Sequence, residues 1–217
     1  MAAALNRELF VAEQSLVTLA TELFLSLSPH TIALAGGSTP RGLYEHLATI
    51  DYRWAETDIF FGDERCVPAD HPDSNFRMAN EALLSKVPAR VYPMPGGSCD
   101  ASAYESELAT VFPSGRPVFD LVLLGLGVDG HTASLFPGDA ALDEGERNVV
   151  SVERPDHRRL TLTLPVLSAA RAAMFLVAGE EKREVLARLL AGDAIPAARV
   201  SAQRVLVVAD RAAAGPQ

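Results

Sequence analysis

The sequence predicts an α/β protein, a largely parallel sheet with helices on both faces. Three observations predict it. Short, continuous apolar runs recur along the chain, as strands buried on both faces require. Segments with apolar residues at helical spacing lie between them. Several of the runs end in glycine-rich or polar clusters, where parallel strands hand over to loops. The chain has 217 residues, 48% of them hydrophobic, enough to build a full core. One domain spanning 1–217 is the expectation.

Each element has its own signal. Leu9, Phe10, Leu16, Val17, Leu23, Phe24 and Leu27 recur at helical spacing, so residues 6–27 read as one long amphipathic helix. Residues 31–35 form an apolar strand ending in Gly36-Gly37-Ser38-Thr39-Pro40. There Ser38 or Thr39 suits a helix cap and Pro40 the first helical position. A strand at 58–61 ends at Gly62-Asp63-Glu64-Arg65, and a helix follows from Ser74 to Lys86. Residues 91–94 suit a short edge strand, because Pro93 cannot donate to a ladder. A helix is expected over 100–112 and a strand over 120–124. Further strands fall at 147–152, 159–164, 173–178 and 204–209, with a helix over 180–191. The segments 113–117 and 138–147 read as connectors.

Composition narrows the function. The chain carries 28 acidic and 19 basic residues, a net charge of −9, which argues against a general nucleic-acid binder. No apolar run approaches the ~20 residues of a membrane span. The N-terminus shows no basic segment followed by an apolar one, so no signal peptide is expected and the cytoplasm is the predicted compartment. Cys66 and Cys99 form no CxxC pair and no zinc spacing, and they read as free thiols of a reducing cytosol. No metal is expected, because Asp63, Glu64, His71, Asp129 and His131 match no known ligand spacing. Only two basic residues are lysines, Lys86 and Lys182. Lys86 suits a solvated helix end, and Lys182 a point charge for phosphate.

Parallel sheets bind ligands beyond the carboxyl ends of their strands. Four polar clusters fall at such ends: 36–39, 63–65, 129–131 and 180–182. Gly36, Gly37, Ser38 and Thr39 offer backbone N–H groups at a helix start, a natural phosphate site. The run 125–130 satisfies G-x-G-x-x-G after a strand. It is set aside as a dinucleotide site because it lies past mid-chain, leads into His131 and lacks the later acidic ribose ligand. His131, two residues after Asp129, suits a general base near neutral pH. No G-x-S-x-G marks a serine hydrolase.

These motifs together resemble the 6-phosphogluconolactonase family. The resemblance is carried by residues 34–40, by 62–68 with His71, Ser74 and Asn75, by 127–137, by 159–165 and by 179–182. It runs in order from about residue 30 to 210. It implies a Rossmann-like fold shared with glucosamine-6-phosphate deaminases and no required metal or organic cofactor. It also implies hydrolysis of 6-phospho-D-glucono-1,5-lactone in the oxidative pentose phosphate pathway. On this reading Gly36, Gly37, Ser38, Thr39, Asp63, Arg159 and Lys182 bind substrate. His131, Asp129 and Arg65 form the catalytic set, with Arg65 stabilising the oxyanion or contacting sugar hydroxyls. The partner is a phosphorylated sugar lactone, with no nucleic acid, membrane or obligate protein partner. Deaminases place a glutamate five residues after the histidine, where this chain has Phe136. A deaminase/isomerase and a non-catalytic sugar-phosphate sensor are the alternatives.

Overall fold

The computed structural model describes residues 7–215. The chain opens with strand β1 (Arg7–Val11), helix α1 (Leu16–Leu27), β2 (Thr31–Leu34) and α2 (Ser38–Leu47). Strands β3 (Asp58–Phe61) and β4 (Asp63–Arg65) follow, then α3 (Asn75–Ala82), β5 (Arg90–Val91), α4 (Ala101–Val111) and β6 (Leu121–Leu124). The C-terminal half runs β7 (Val149–Val152), β8 (Arg159–Leu162), α5 (Leu164–Ala169), β9 (Ala172–Val177), α6 (Arg183–Ala191), β10 (Arg204–Ala209) and α7 (Arg211–Ala214).

Seven strands form a parallel sheet in the order β1-β10-β9-β6-β2-β3-β5. Every residue of β6 and β9 is buried. Successive strand residues point to opposite faces, so both faces of this sheet are covered, as the continuous apolar runs predict. Leu43, Tyr44 and Leu47 of α2 and Tyr104 and Leu108 of α4 join the strands in one contiguous core. Among the described residues no helix is long and apolar enough to cross a membrane.

Four expectations need correction. The helix predicted over 6–27 is β1 followed by α1, and residue 6, like the N-terminal segment 1–6 read for a signal peptide, lies outside the described residues. Ser15 breaks the run: its side chain accepts from the Thr18 N–H and caps α1. Upstream, β1 finds a parallel partner in β10, from Arg7↔Val205 to Val11↔Ala209. The pairs at 9–10, 16–17 and 23–24 are seven residues apart, two helical turns, so strand residues fell in phase with the helix behind them.

The strands predicted at 147–152 and 159–164 do not join the parallel sheet. As β7 and β8 they form a three-stranded antiparallel sheet with β4. β7 (Val-Val-Ser-Val) and β8 (Arg-Leu-Thr-Leu) are too short for their sequence alone to fix which sheet they join. At the start of α2, neither Ser38 nor Thr39 caps and Pro40 is the third helical residue. The N-cap is Gly37, with φ 106°, and no side chain bonds the helix end.

Cys66 and Cys99 are not free thiols: they form a disulfide, with Cα atoms 5.1 Å apart. The fold brings the end of β4 beside the turn before α4, a proximity that a sequence separation of 33 does not reveal. Closing a loop of that length stabilises a fold by about 3–4 kcal/mol in the chain-entropy account. Cys99→Ser is therefore expected to lower the unfolding free energy by about 3 kcal/mol, read by urea denaturation without reductant. Equal stability of the two proteins would show that the cross-link contributes nothing.

Candidate active site

The segments leaving β2, β6 and β9, together with β4 and β8, enclose a cavity of about 390 Å³. Gly36, Gly37, Ser38, Thr39, Asp63, Arg65, His131, Arg159 and Lys182 all line it. Asp129 does not; it holds the histidine from behind. Its Oδ1 lies 2.6 Å from His131 Nδ1 and also accepts from the His131 backbone N–H at 3.1 Å. The i, i+2 spacing thus does yield a direct bond. Partial burial pushes the Asp129 carboxyl up, but the His131 hydrogen bonds and the ring's charge outweigh it, so the net direction is down.

Gly127 makes this geometry possible. A Cβ there would lie 2.0 Å from His131 Nδ1, so only glycine lets the ring fold back against the backbone. The opposite contact is Phe136, whose ring centroid is 4.4 Å from that of His131. No α-helix follows the glycine run, which enters turns and then a 3₁₀ turn at Ala140–Asp143. A dinucleotide fingerprint would require a helix at that point.

Three cations converge from separate elements. Arg65 and Arg159 are direct partners across β4 and β8, so their side chains leave the same face of the small sheet. Arg65 Nη1 donates to the Asp73 carbonyl and to Asn75 Oδ1, both at 2.8 Å. Arg159 Nη2 meets the exposed Asp156 at 2.5 Å, and its Nε is buried without a partner. The His157 backbone N–H, against slight desolvation, and then the Arg159 guanidinium hold the Asp156 carboxyl down at about 2. Lys182 Nζ donates to the Leu126 carbonyl at 2.7 Å, which aims it across the strand ends. It precedes α6 in a 3₁₀ turn, Glu180–Lys182. Lys86 instead caps the carbonyl of Ala82 at the end of α3.

Asp63 is buried and accepts from Ser134 Oγ at 2.6 Å and Asn75 Nδ2 at 3.2 Å. Glu64 turns away from the cavity and caps α3, accepting from Arg65 N, Asn75 N, Phe76 N and Ser74 Oγ. Burial raises its pKa, partly opposed by those donors. His71 structures its own loop, accepting from the Asp73 N–H at 3.1 Å. Sequence reasoning gave no role to Asn75, Gly127 or the cavity-lining Glu181. Asn75 and Gly127 lie in the resembling motifs, but their roles depend on contacts across the fold. Among the described residues, no three His, Cys, Asp or Glu side chains gather as a metal site.

Fold and cavity together define an α/β protein of the Rossmann-like class with a cation-lined cavity at its strand ends, beside a carboxylate-paired histidine. The model of the glucosamine-6-phosphate isomerases/6-phosphogluconolactonase family matches residues 9–208. A 6-phosphogluconolactonase of Synechocystis is 44% identical over 205 residues, 88% of this chain and 85% of its own. The solved 6-phosphogluconolactonase of Trypanosoma cruzi matches with a TM-score of 0.87 at 30% identity, covering 98% of this chain and 97% of its own. A monomeric glucosamine-6-phosphate deaminase shares the fold, with a TM-score of 0.79 at 21% identity over 95% of this chain and 98% of its own. The chain belongs to the glucosamine-6-phosphate isomerase/6-phosphogluconolactonase family.

Gly127→Ala forces the His131 ring off its position. If the histidine takes part in the chemistry, a misplacement of about 1 Å lowers kcat by about 10²-fold. Steady-state kinetics should show this with little change in KM, and a kcat near that of the unaltered protein would contradict the packing argument.

Proposed function

We propose that this chain hydrolyses 6-phospho-D-glucono-1,5-lactone to 6-phospho-D-gluconate, with His131 as general base. The observation that carries the reading is the Asp129–His131 bond, which orients from behind a histidine that lines a cation-rich cavity. A carboxylate at Nδ1 fixes the proton there and leaves Nε2 free to take one from water. The water oxygen attacks the lactone carbonyl as Nε2 accepts its proton. The Arg65 guanidinium stabilises the developing oxyanion. When the ring C–O bond breaks, His131 returns the proton to the departing ring oxygen. One water is consumed, and a carboxyl and a hydroxyl group are formed.

The 6-phosphate belongs at the start of α2. The uncapped N–H groups of Ser38 and Thr39 have no partner within the helix, and the helix dipole favours an anion there. Gly36 and Gly37 let it approach the backbone. Arg159 and Lys182 add charge, and Asp63 is placed to accept from a sugar hydroxyl. Two like charges opposed at Arg65 and Arg159 favour an anion between them.

The deaminase alternative lacks its acid: Phe136, five residues after His131, packs an apolar ring on the imidazole. A sensor would need no oriented base. Absence of ammonia release from glucosamine 6-phosphate separates the lactonase from the deaminase, and turnover of the lactone separates it from the sensor.

A coupled assay with freshly generated lactone, corrected for spontaneous hydrolysis, tests the proposal. His131→Ala should lose about 10²–10⁴-fold in kcat. Near-normal turnover would remove His131 from the chemistry. Arg159→Ala and Lys182→Ala should each raise KM by about tenfold or more, the typical effect of losing a charged hydrogen bond. An unchanged KM in both would displace the phosphate from this end of the cavity.

A further inference from the structure

The turn assigned to phosphate begins where β2 loses its neighbours. The β2–β3 ladder ends at Leu34↔Phe61 and the β2–β6 ladder at Ala33↔Val122. The next residue, Ala35, lies beyond both, yet it is buried and leads directly into Gly36 and Gly37. Its N–H and C=O would be left without strand partners. Both are met by one side chain: the Tyr44 hydroxyl accepts from Ala35 N at 2.9 Å and donates to Ala35 O at 2.8 Å. Tyr44 is fully buried in α2, the helix that the turn opens. The strand end and the helix it feeds are therefore fastened to each other across the turn.

We propose that Tyr44 is a positioning residue for phosphate, its hydroxyl standing in for a missing strand and fixing the first N–H groups of α2 toward the cavity. This rests on the placement of phosphate at that helix end. Burial pushes the Tyr44 phenol well above its ordinary range, so its hydroxyl keeps the proton it donates to Ala35. Without the hydroxyl, two buried backbone groups lose their partners, and the turn relaxes to satisfy them.

A neighbouring tyrosine supplies the control. Tyr104, also fully buried, accepts from Phe61 N at 2.9 Å and donates to Tyr92 O at 3.2 Å, at the end of a strand that does not enter α2. Tyr44→Phe and Tyr104→Phe should lose similar stability in urea. Only Tyr44→Phe should raise KM for the phosphorylated lactone, by about three- to tenfold, with kcat within about twofold. An unchanged KM in Tyr44→Phe, or an equal rise in Tyr104→Phe, overturns the proposal. If Arg159→Ala and Lys182→Ala raise KM while Tyr44→Phe does not, only the tyrosine assignment falls. If those two leave KM unchanged, the phosphate placement itself falls. Hydrogen exchange on the unaltered protein gives a check that no variant's folding can obscure. The Ala35 amide should exchange as slowly as those within β2, and rapid exchange would sink the idea.

Discussion

Two consecutive carboxylates, Asp63 and Glu64, hold the site together from beneath. A buried carboxylate is costly unless donors surround it, and removing a donor leaves charge uncompensated. Here the donors come from two separate segments. Ser134 reaches Asp63 from the turn after His131, Asn75 reaches it from α3, and the start of α3 closes on Glu64. A three-residue strand, β4, is thereby fixed to both neighbours, and Arg65 leaves it in a defined direction. Asn75 extends the linkage. It accepts from Arg65, donates to Asp63, and lies so close to Gly36 that a Cβ there would meet its amide oxygen at 2.0 Å. One side chain thus bonds Arg65 and packs against the glycine turn before α2.

The chain uses two glycine-rich turns for opposite purposes. After β2 the turn opens a helix, and its use lies in the helix end it exposes. After β6 the turn opens no helix, and its use lies in space: Gly127 makes room for an imidazole. The G-x-G-x-x-G pattern cannot distinguish these cases, because the difference lies in the segment after the last glycine. A net charge of −9 likewise says little about the cavity, where Arg65, Arg159 and Lys182 are gathered from distant parts of the chain.

The strands β2, β3, β6, β9 and β10 were legible because burial on both faces leaves an unbroken apolar run. β1 was not, because its apolar pair lay two helical turns from the next. Membership of β7 and β8 in a second sheet was illegible for a different reason. Strand partners are chosen across the fold, and a short run carries no mark of its partner. The disulfide was missed on the same ground. Most of the cavity-lining candidates were readable because parallel strands deliver their carboxyl ends to one edge, whatever the details of packing. What could not be read were the contacts that orient them: Asn75 between two motifs, Gly127 under a ring, and Leu126 holding Lys182.

The pairing of Arg159 with Asp156 bears on how the site empties. A guanidinium that already has a counter-ion gains only the difference when a second anion arrives, so on the proposed placement of the phosphate, occupancy is an exchange of one anion for another. The Asp156 carboxylate sits on an exposed loop three residues before its arginine. On that placement, it re-forms the pair as product departs and offsets the loss of the phosphate contact. An enzyme whose substrate and product carry the same phosphate faces product retention as its natural hazard, and an internal competitor for the arginine eases release.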